Sequence, residues 1–443
     1  MLVLPCLALG LALATPQARS ARVEALVEAV EPARLDATVA RLVSFGTRHT
    51  LSDTTSGTRG IGAARRWLAS EFAALAKQPG SRLQPFEDRF TAEPAGRIPR
   101  PVEIVDVGAV LPGADPTRAK EAILLAAHYD SRASDVMDAT SDAPGAVDDG
   151  SGVAVVLELA RVLARERPAV SVYLVAVAGE EQGLTGSAHL ARRLKSEGVS
   201  VMAMIAVDTV GNTEGLDGVK DNVSARLFSE GVGRLETDAQ RRLREAIGGE
   251  NDGAAREWSR YVKRVAERYV DNLDLWVMLR QDRIARGGDH MSFSREGFPA
   301  IRLSEAHEHY HRQHQVPRVE GGRSYGDDLA HFDAAYAAKL TQGLVAAVAH
   351  LASAPAPVRE LALGGAVSPD ARLRVQLPED PRVAGLVLYR RRADAVAWQR
   401  ADPYPKANEI VVKGMVPDSF VFAVATVDAE GNESIPSHPT RLQ

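Results

Sequence analysis

The stretch from Leu124 to Leu184 places the strongest constraint on the fold of this chain. It contains three apolar or helical segments, and each segment ends on acidic residues or a histidine. These residues are His128 with Asp130, Asp148 with Asp149, and Glu180 with Glu181. Because open α/β sheets carry their sites at the carboxyl ends of the strands, this pattern indicates a catalytic site at one edge of a parallel sheet.

The order of elements in this stretch predicts the architecture around the site. Residues 122–127 and 171–177 read as buried strands, and residues 151–165 between them have the apolar spacing of an amphipathic helix. A strand, helix, strand order implies a right-handed crossover and parallel strands buried on both faces. Together with strand-like runs at 102–107, 201–207 and 300–303, it predicts a three-layer α/β/α sandwich around a mostly parallel mixed sheet.

The rest of the chain supports or extends this domain, which we place at residues 21–352. Residues 21–72 predict a helix, a loop and a second helix, and residues 327–351 predict one long helix. The more polar segment 213–285 is interpreted as an elaboration within the domain. At 443 residues the chain is longer than one hydrophobic core usually occupies, so we expect a smaller companion domain.

That companion follows a Pro- and Ala-rich linker at residues 353–358. Over residues 359–443 helical periodicity stops, and short alternating runs separated by turn residues predict a β-sandwich. The closing stretch FVFAVATVDAEGNESIPS resembles the last strands of a fibronectin type III domain.

The first twenty residues read as a secretory signal peptide, with an apolar run followed by small residues for cleavage at Ala12 to Ala14. Cys6, the only cysteine, lies inside it, so the mature chain would have neither disulfides nor a cysteine nucleophile. A net charge of −5 and the lack of a basic run argue against a nucleic-acid partner. No other apolar stretch is long enough to span a membrane, so we expect a secreted or periplasmic protein.

The residue types at the strand ends suit a hydrolytic centre with two metal ions. Such a centre needs imidazole and carboxylate ligands, one oxygen bridging both ions, and a carboxylate base beside the attacking water. Asp130 could orient the imidazole of His128, and one carboxylate of Asp148 and Asp149 would bridge the ions. Glu180 and Glu181 point to opposite sides of the backbone, so one can bind metal while the other takes the proton.

More potential ligands follow further along the chain. Asp208 ends the strand-like run MIAVD, and a dense histidine cluster occupies residues 307–314. Two like charges about 4 Å apart repel by roughly 4 kcal/mol at an effective dielectric near 20, so clustered carboxylates need cations or protons. Histidine and carboxylate ligands without sulfur suit zinc.

The motifs HYDS, VDDGSG, GEEQGLTGS, VDTVGN, GDHMSF, GFPAIR and YH, in this order, resemble the M28 family of zinc aminopeptidases from about Ile104 to Ala352. The resemblance implies two zinc ions per chain, with His128 binding one ion and Asp148 bridging both. It implies Glu181 and Asp208 as further ligands and Glu180 as the general base. It also implies peptide substrates with a free N-terminus.

The last zinc ligand is the least regular part of the resemblance. In the family a histidine follows a Tyr and precedes an Asp by four positions; Tyr310-His311 meets the first condition, but Gln315 stands at the Asp position. We therefore expect His311 as the ligand, with His314 as its competitor. Tyr310 is a candidate hydrogen-bond donor to the oxyanion, and Asp289 fits a supporting role behind the ligands.

Two other functions fit the same segments. Glutaminyl cyclases resemble this family but use a single zinc ion, and a non-catalytic peptide-binding protein could share the peptidase scaffold. The retained acidic set and the base favour the aminopeptidase.

Overall fold

The structure of the protein is a computed structural model that describes residues 19–443. Most of the predicted signal peptide lies outside the described residues. Helices of the larger unit are α1 (Ala21–Glu28), α2 (Pro32–Val43), α3 (Gly60–Ala76), α4 (Gly152–Leu163), α5 (Thr185–Ser196), α6 (Asp238–Ile247), α7 (Ala254–Tyr269), α8 (His290–Arg295) and α9 (Ala334–Ser353). Among these residues, no helix combines the length and the apolar character that a membrane crossing requires.

The strands of the larger unit form a central sheet and a short hairpin. They are β1 (Gln84–Ala92), β2 (Val102–Leu111), β3 (Glu121–His128), β4 (Ser171–Val177), β5 (Ser200–Val207), β6 (Ser224–Ser229), β7 (Asp274–Met278), β8 (Ala300–Glu305), β9 (Arg318–Glu320) and β10 (Arg323–Tyr325). The sheet has the order β1-β2-β4-β3-β5-β8-β6-β7, and β9 pairs with β10. Strands β4, β3, β5 and β8 are parallel, so their carboxyl ends meet at one edge.

Helices cover both faces of this sheet. Leu124 and Val175 pack on α5 and α8 through residues such as Leu190 and Phe293. Successive side chains of a strand point to opposite faces, so Ile123 of β3 faces the other layer, where α4 and α9 contact the sheet. The predicted α/β fold with a mixed, largely parallel sheet is confirmed.

Two predicted helices differ from the structure: one is divided into two helices, and the other begins later in the chain. The first predicted helix is two helices, because the second starts at Pro32, whose ring nitrogen has no hydrogen to donate to a preceding turn. The long helix predicted from residue 327 begins only at Ala334. Asp333 caps it by accepting hydrogen bonds from the backbone N–H groups of Ala335 and Tyr336, both at 3.0 Å. Asp327 therefore lies in the preceding loop.

The segment 213–285 extends the sheet and contains buried structure. It supplies β6 and β7 at one edge and helix α7, in which Trp258 and Tyr261 are buried. Arg260 of α7 is buried as well and lies 3.0 Å from carboxylate oxygens of both Asp252 and Glu257. The segment can be polar in composition and still contain buried structure because part of its charge is paired internally.

Residues 355–443 form a separate compact unit. Its strands are β11 (Glu360–Gly364), β12 (Ala371–Gln376), β13 (Gly385–Arg392), β14 (Arg400–Pro405), β15 (Glu409–Val412), β16 (Phe420–Val427) and β17 (Arg441–Leu442). They make sheets of order β15-β12-β11-β17 and β14-β13-β16. Leu361 and Leu373 of one sheet share a core with Leu386 and Phe422 of the other. The unit is thus built from two facing sheets, and its likeness to fibronectin type III domains stays a prediction.

Candidate metal centre

The carboxyl ends of two parallel strands and the loop before α4 bring a first group of potential ligands together. His128 is the last residue of β3, and Asp208 follows β5 directly. Nε2 of His128 lies 3.2 Å from Oδ1 of Asp148 and 3.9 Å from Oδ1 of Asp208. All three side chains are buried, so their polar atoms have little access to water.

A second group adjoins the first through Asp148. Nε2 of His314 lies 2.9 Å from Oδ2 of Asp148 and 2.8 Å from Oε1 of Glu181, which follows β4. Asp148 therefore presents one carboxylate oxygen to the imidazole of His128 and the other to the imidazole of His314. A carboxylate in this position can bridge two metal ions.

The loop that carries Asp148 is held from a distant part of the chain. The residues Ala146–Ser151 form one irregular helical turn before α4, with a cis peptide bond between Asp148 and Asp149. Asp327 accepts hydrogen bonds from the backbone N–H groups of Val147, at 2.9 Å, and of Asp148, at 2.7 Å. The side chain of Asp148 is thus oriented by a residue that the sequence pattern assigned to a helix.

The buried side chain of Arg48 supports the same loop from its other side. Its guanidinium donates to the backbone carbonyls of Pro144, Gly145 and Tyr129. No motif in the sequence singled out Arg48, because a lone basic residue between a helix and a loop has no distinguishing pattern.

The carboxylate of Asp149 links the ends of β3 and β5 to the start of α4. It accepts hydrogen bonds from the backbone N–H groups of His128 at 3.2 Å, Thr209 at 3.2 Å and Gly152 at 3.0 Å. An oxygen of Asp149 also lies within 4.8 Å of a potential ligand atom of His128 and of one of Asp208. Because both oxygens of Asp149 are already engaged by backbone donors, Asp148 is the better candidate for a bridging ligand.

Asp130 positions the ligands of both groups. Nδ1 of His128 lies 3.0 Å from the backbone carbonyl of Asp130, which leaves Nε2 to face the other ligands. The carboxylate of Asp130 accepts hydrogen bonds from the N–H groups of Glu180 at 3.2 Å and Glu181 at 3.1 Å, and from the hydroxyl of Thr50 at 3.0 Å. Asp130 therefore orients the His128 imidazole mainly through its main chain and the glutamates through its side chain.

The histidine loop brings His314, and not His311, to the carboxylates. A turn in which the N–H of Arg312 donates to the carbonyl of His309 carries His311 away from the centre. The His311 ring lies 5.1 Å from the ring of Tyr325 and lines a different cavity. His314 therefore takes precedence over His311 as the candidate ligand, which reverses the order expected from the sequence.

Tyr310 and Asp289 lie close to the two groups but belong to neither. Tyr310 is 55% exposed and lines a cavity to which His314 also contributes. Asp289 is buried just before α8, and this burial raises its pKa to about 6. Its Oδ1 accepts no hydrogen bond from any residue that the structure describes.

The imidazoles and carboxylates of the centre stabilise the charged forms of each other. A bound cation could supply the same positive charge to the carboxylates. Burial disfavours the charged imidazole of His314, but the carboxylates of Glu181 and Asp148 outweigh this effect and raise its pKa to about 10. Burial would likewise favour the neutral form of Asp148, yet His314 and His128 hold its pKa well below the usual range. The carboxylates of this group therefore favour positive charge beside them.

The donor set fits zinc. Oε1 of Glu181 is buried and, despite its ionic contact with His314, accepts no hydrogen bond of good geometry from the described residues. Three carboxylates and two imidazoles, with no sulfur, are ligands that zinc accepts. The orphaned oxygen and the choice of donors therefore suit metal binding better than a structural hydrogen-bond network.

Three arginines surround the carboxylates and were not identified from the sequence. Nη2 of Arg302 lies 2.9 Å from Oδ1 of Asp208, and Nη1 of Arg132 lies 3.6 Å from Oε2 of Glu181. Arg97 donates to the backbone carbonyl of Glu181 at 2.7 Å. For Arg302 a signal was present, since a basic residue inside a short apolar strand must find an acidic partner when buried.

Comparison with known proteins identifies the family of this chain. Residues 106–319 match the model of peptidase family M28. A protein of Leptosphaeria maculans named "Probable zinc metalloprotease" is 38% identical over 434 residues, which are 97% of this chain and 99% of that protein. The chain belongs to peptidase family M28. It is a zinc metalloprotease of that family.

Another relative agrees with this assignment, and a solved structure shares the fold. A "Probable zinc metalloprotease" of Pyricularia oryzae is 42% identical to the M28 chain over 349 residues, 78% of this chain and 69% of that protein. The LapA aminopeptidase of Legionella pneumophila superposes with a TM-score of 0.55 at 21% identity and covers 77% of each chain. At that identity the superposition establishes a shared fold.

Proposed function

We propose that this M28 metalloprotease is a secreted or periplasmic aminopeptidase that removes the N-terminal residue of peptides through two zinc ions per chain. The observation that carries the proposal is the position of Asp148, whose two carboxylate oxygens lie 3.2 Å and 2.9 Å from the imidazoles of His128 and His314. Two ligand groups that share one carboxylate are what a two-metal centre requires.

In this proposal each ion has ligands of its own besides the shared one. His128 and Asp208 would hold the first ion, Glu181 and His314 would hold the second, and Asp148 would contact both. When bound, the zinc ions polarise the peptide carbonyl and make the attacking water more acidic. The hydrogen bonds that the carboxylates of Asp130, Asp149 and Asp327 accept from backbone N–H groups keep the strand ends and loops in place around them.

Glu180 is the proposed general base. It lines the same cavity as the ligands but stands outside both ligand groups. Burial, and then the charge of Glu181, raise the pKa of Glu180 well above its usual range, which makes its carboxylate a stronger proton acceptor. Glu180 would take the proton of the attacking water and pass it to the leaving amine.

Tyr310 is the proposed donor to the oxyanion that forms at the carbonyl. Its exposed hydroxyl group and its position in the cavity beside His314 leave it free to turn towards a bound peptide. The free amine of the substrate would lie against an acidic side chain of the centre. An acidic surrounding stabilises a protonated amine, which favours a substrate with an unblocked N-terminus.

The test compares a peptide library with free N-termini against the same library with acetylated N-termini. We expect release of single N-terminal residues from the free-amine library and no release from the acetylated one. Cleavage of acetylated peptides at internal bonds would contradict the aminopeptidase proposal. Because the two groups are separate, elemental analysis should find two zinc ions per chain. A single ion together with cyclisation of N-terminal glutamine would favour the glutaminyl cyclase alternative instead.

A further inference from the structure

An arginine-rich cavity adjoins the metal centre. It has a volume of about 680 Å³ and shares Arg132, Arg283, Arg286 and His314 with the space around the ligands. Its lining residues include five arginines and a single carboxylate, Glu308. A cavity with this excess of positive charge next to a site for peptides is not explained by the metal chemistry.

Glu308 compensates only part of this charge. Its carboxylate lies 2.7 Å from Nη2 of Arg226, 3.0 Å from Nη1 of Arg283 and 2.6 Å from Nη1 of Arg286. Asp282, behind the cavity wall, adds a second carboxylate at 3.1 Å from Nε of Arg283. Three guanidinium groups and two carboxylates thus leave at least one positive charge in this cluster.

Two further arginines lack a close carboxylate of their own. Arg280 is exposed, and its side chain makes no ion pair or hydrogen bond with the residues that the structure describes. Arg132 has its nearest carboxylate, that of Glu181, at 3.6 Å, and Glu181 is also a proposed metal ligand. The donors of Arg132 and Arg280 are therefore available to an anionic ligand.

Part of the remaining wall of the cavity is apolar and open to solvent. Phe228 and Met278 contribute to it, and Ile284 is 81% exposed. An apolar wall beside guanidinium groups suits a ligand that carries a carboxylate on a short aliphatic stem. Arginine is suited to such a group because its planar donors match the two oxygens of a carboxylate.

We propose that this cavity binds a carboxylate of the peptide substrate and gives the enzyme a preference for anionic peptides. The inference rests on the proposed peptidase function and specifies its substrate class. The carboxylate can come from two sources, an acidic side chain near the scissile bond or the C-terminus of a short peptide. Both present the same group to Arg280 and Arg132.

The test uses four tripeptides with one common N-terminal residue. They are X-Ala-Ala with a free C-terminus, X-Ala-Ala amide, X-Glu-Ala amide and X-Gln-Ala amide. Charge-assisted hydrogen bonds should raise kcat/KM about ten-fold for a carboxylate over its matched amide. A preference for the free C-terminus identifies that source, and a preference for Glu over Gln identifies the side chain. Equal kcat/KM within both pairs would overturn the inference.

Two variants connect the preference to the cavity. Arg280→Gln should reduce the ratio between carboxylate and amide substrates towards one, whereas Arg295→Gln, which removes an exposed charge away from this cavity, should retain it. A ratio that Arg280→Gln leaves unchanged would contradict the assignment to this cavity.

Calorimetric titration separates this inference from the proposed reaction. Zinc-loaded Glu180→Gln protein, titrated with the same four peptides, reports binding without turnover. Tighter binding of the carboxylate peptides supports the cavity assignment even if no peptide is hydrolysed, in which case only the proposed reaction fails. Equal binding of carboxylate and amide peptides, together with normal hydrolysis in the wild type, defeats the cavity assignment alone.

Discussion

The metal centre and the arginine-rich cavity are neighbours of opposite charge and different construction. The proposed ligands of the centre follow buried strands or lie in loops that hydrogen bonds fix, and side chains such as His128 and Asp208 are almost fully buried. The cavity takes Arg226, Arg280 and Arg283 from the segment that elaborates the domain, and Arg280 and Ile284 are exposed. From this difference we expect the proposed chemistry to depend on the buried core and the proposed substrate preference to depend on peripheral segments.

The largest expected effect tests the role of the centre. Glu180→Gln should lower kcat by about 10²- to 10⁴-fold, because the amide cannot take a proton from water, and should leave the zinc content unchanged. Steady-state kinetics and elemental analysis measure the two quantities. Glu93→Gln, at an exposed position outside the described cavities, is the matched control. Wild-type turnover by Glu180→Gln would defeat the assignment of the base.

The next largest effect concerns the contribution of the ion pairs in the cavity to the stability of the folded protein. Glu308→Gln leaves the guanidinium groups of Arg226, Arg283 and Arg286 without their common carboxylate and should lower the free energy of unfolding by about 3 kcal/mol. Urea denaturation at neutral pH measures the loss. A loss far below 1 kcal/mol would mean that solvent already screens the cluster.

The same residue predicts a pH dependence. Burial opposes ionisation of Glu308, but Arg283, Arg286 and Arg226 outweigh it and lower its pKa from 4.5 to about 2. The unfolded chain therefore binds more protons than the folded protein in this range. The stability that Glu308 contributes is fully present above pH 4.5 and is lost as the pH falls towards 2. The difference in unfolding free energy between wild type and Glu308→Gln should shrink over that window, and a constant difference would contradict the assignment.

His314 lines both the metal centre and the arginine-rich cavity, so its replacement tests whether it serves the centre as a ligand. His314→Ala should lower the affinity for the second zinc ion by about 100-fold, because it removes one of only three proposed ligands. His311→Ala is the matched control and should retain two ions per chain. Metal titration decides between them, and the reverse result would return the ligand role to His311.

The smallest effect is expected outside both regions. Ending the chain at Ala354 removes the C-terminal unit, which has its own hydrophobic core. Hydrolysis of a small peptide should stay within about two-fold of the full chain, because the residues named as lining the centre and the cavity belong to the larger unit. Thermal unfolding checks that the shortened protein is folded; a folded but inactive protein would contradict the prediction.

The sequence was sufficient to predict the sheet and the convergence of its strand ends. Apolar runs that stop at His128, Glu181 and Asp208 carry the periodicity of buried strands and the residue types of metal ligands at once. The α/β fold that these runs predict is confirmed. The roles within the centre remain proposals, although the structure brings these residues together with Asp148.

What the sequence could not predict depends on side chains from distant segments. His311 and His314 are three residues apart, and only the turn at residues 309–312 decides which of them reaches Glu181. Asp327 looked like the start of a helix because its loop role depends on backbone groups elsewhere in the fold. The arginines of the cavity have no common motif, since their excess charge exists only after β6, β7 and the histidine loop come together.

The hydrogen bond from the backbone N–H of Asp148 to Asp327 has a consequence for folding during synthesis of the chain. The two residues are 179 positions apart, so Asp148, the proposed bridging residue, receives this support only after most of the larger unit has been synthesised. A nascent chain that ends directly after β10 already contains all five proposed ligands but lacks Asp327, which holds the backbone of Asp148. Such contacts of high sequence separation form late, so competence to load metal should arise at the end of folding.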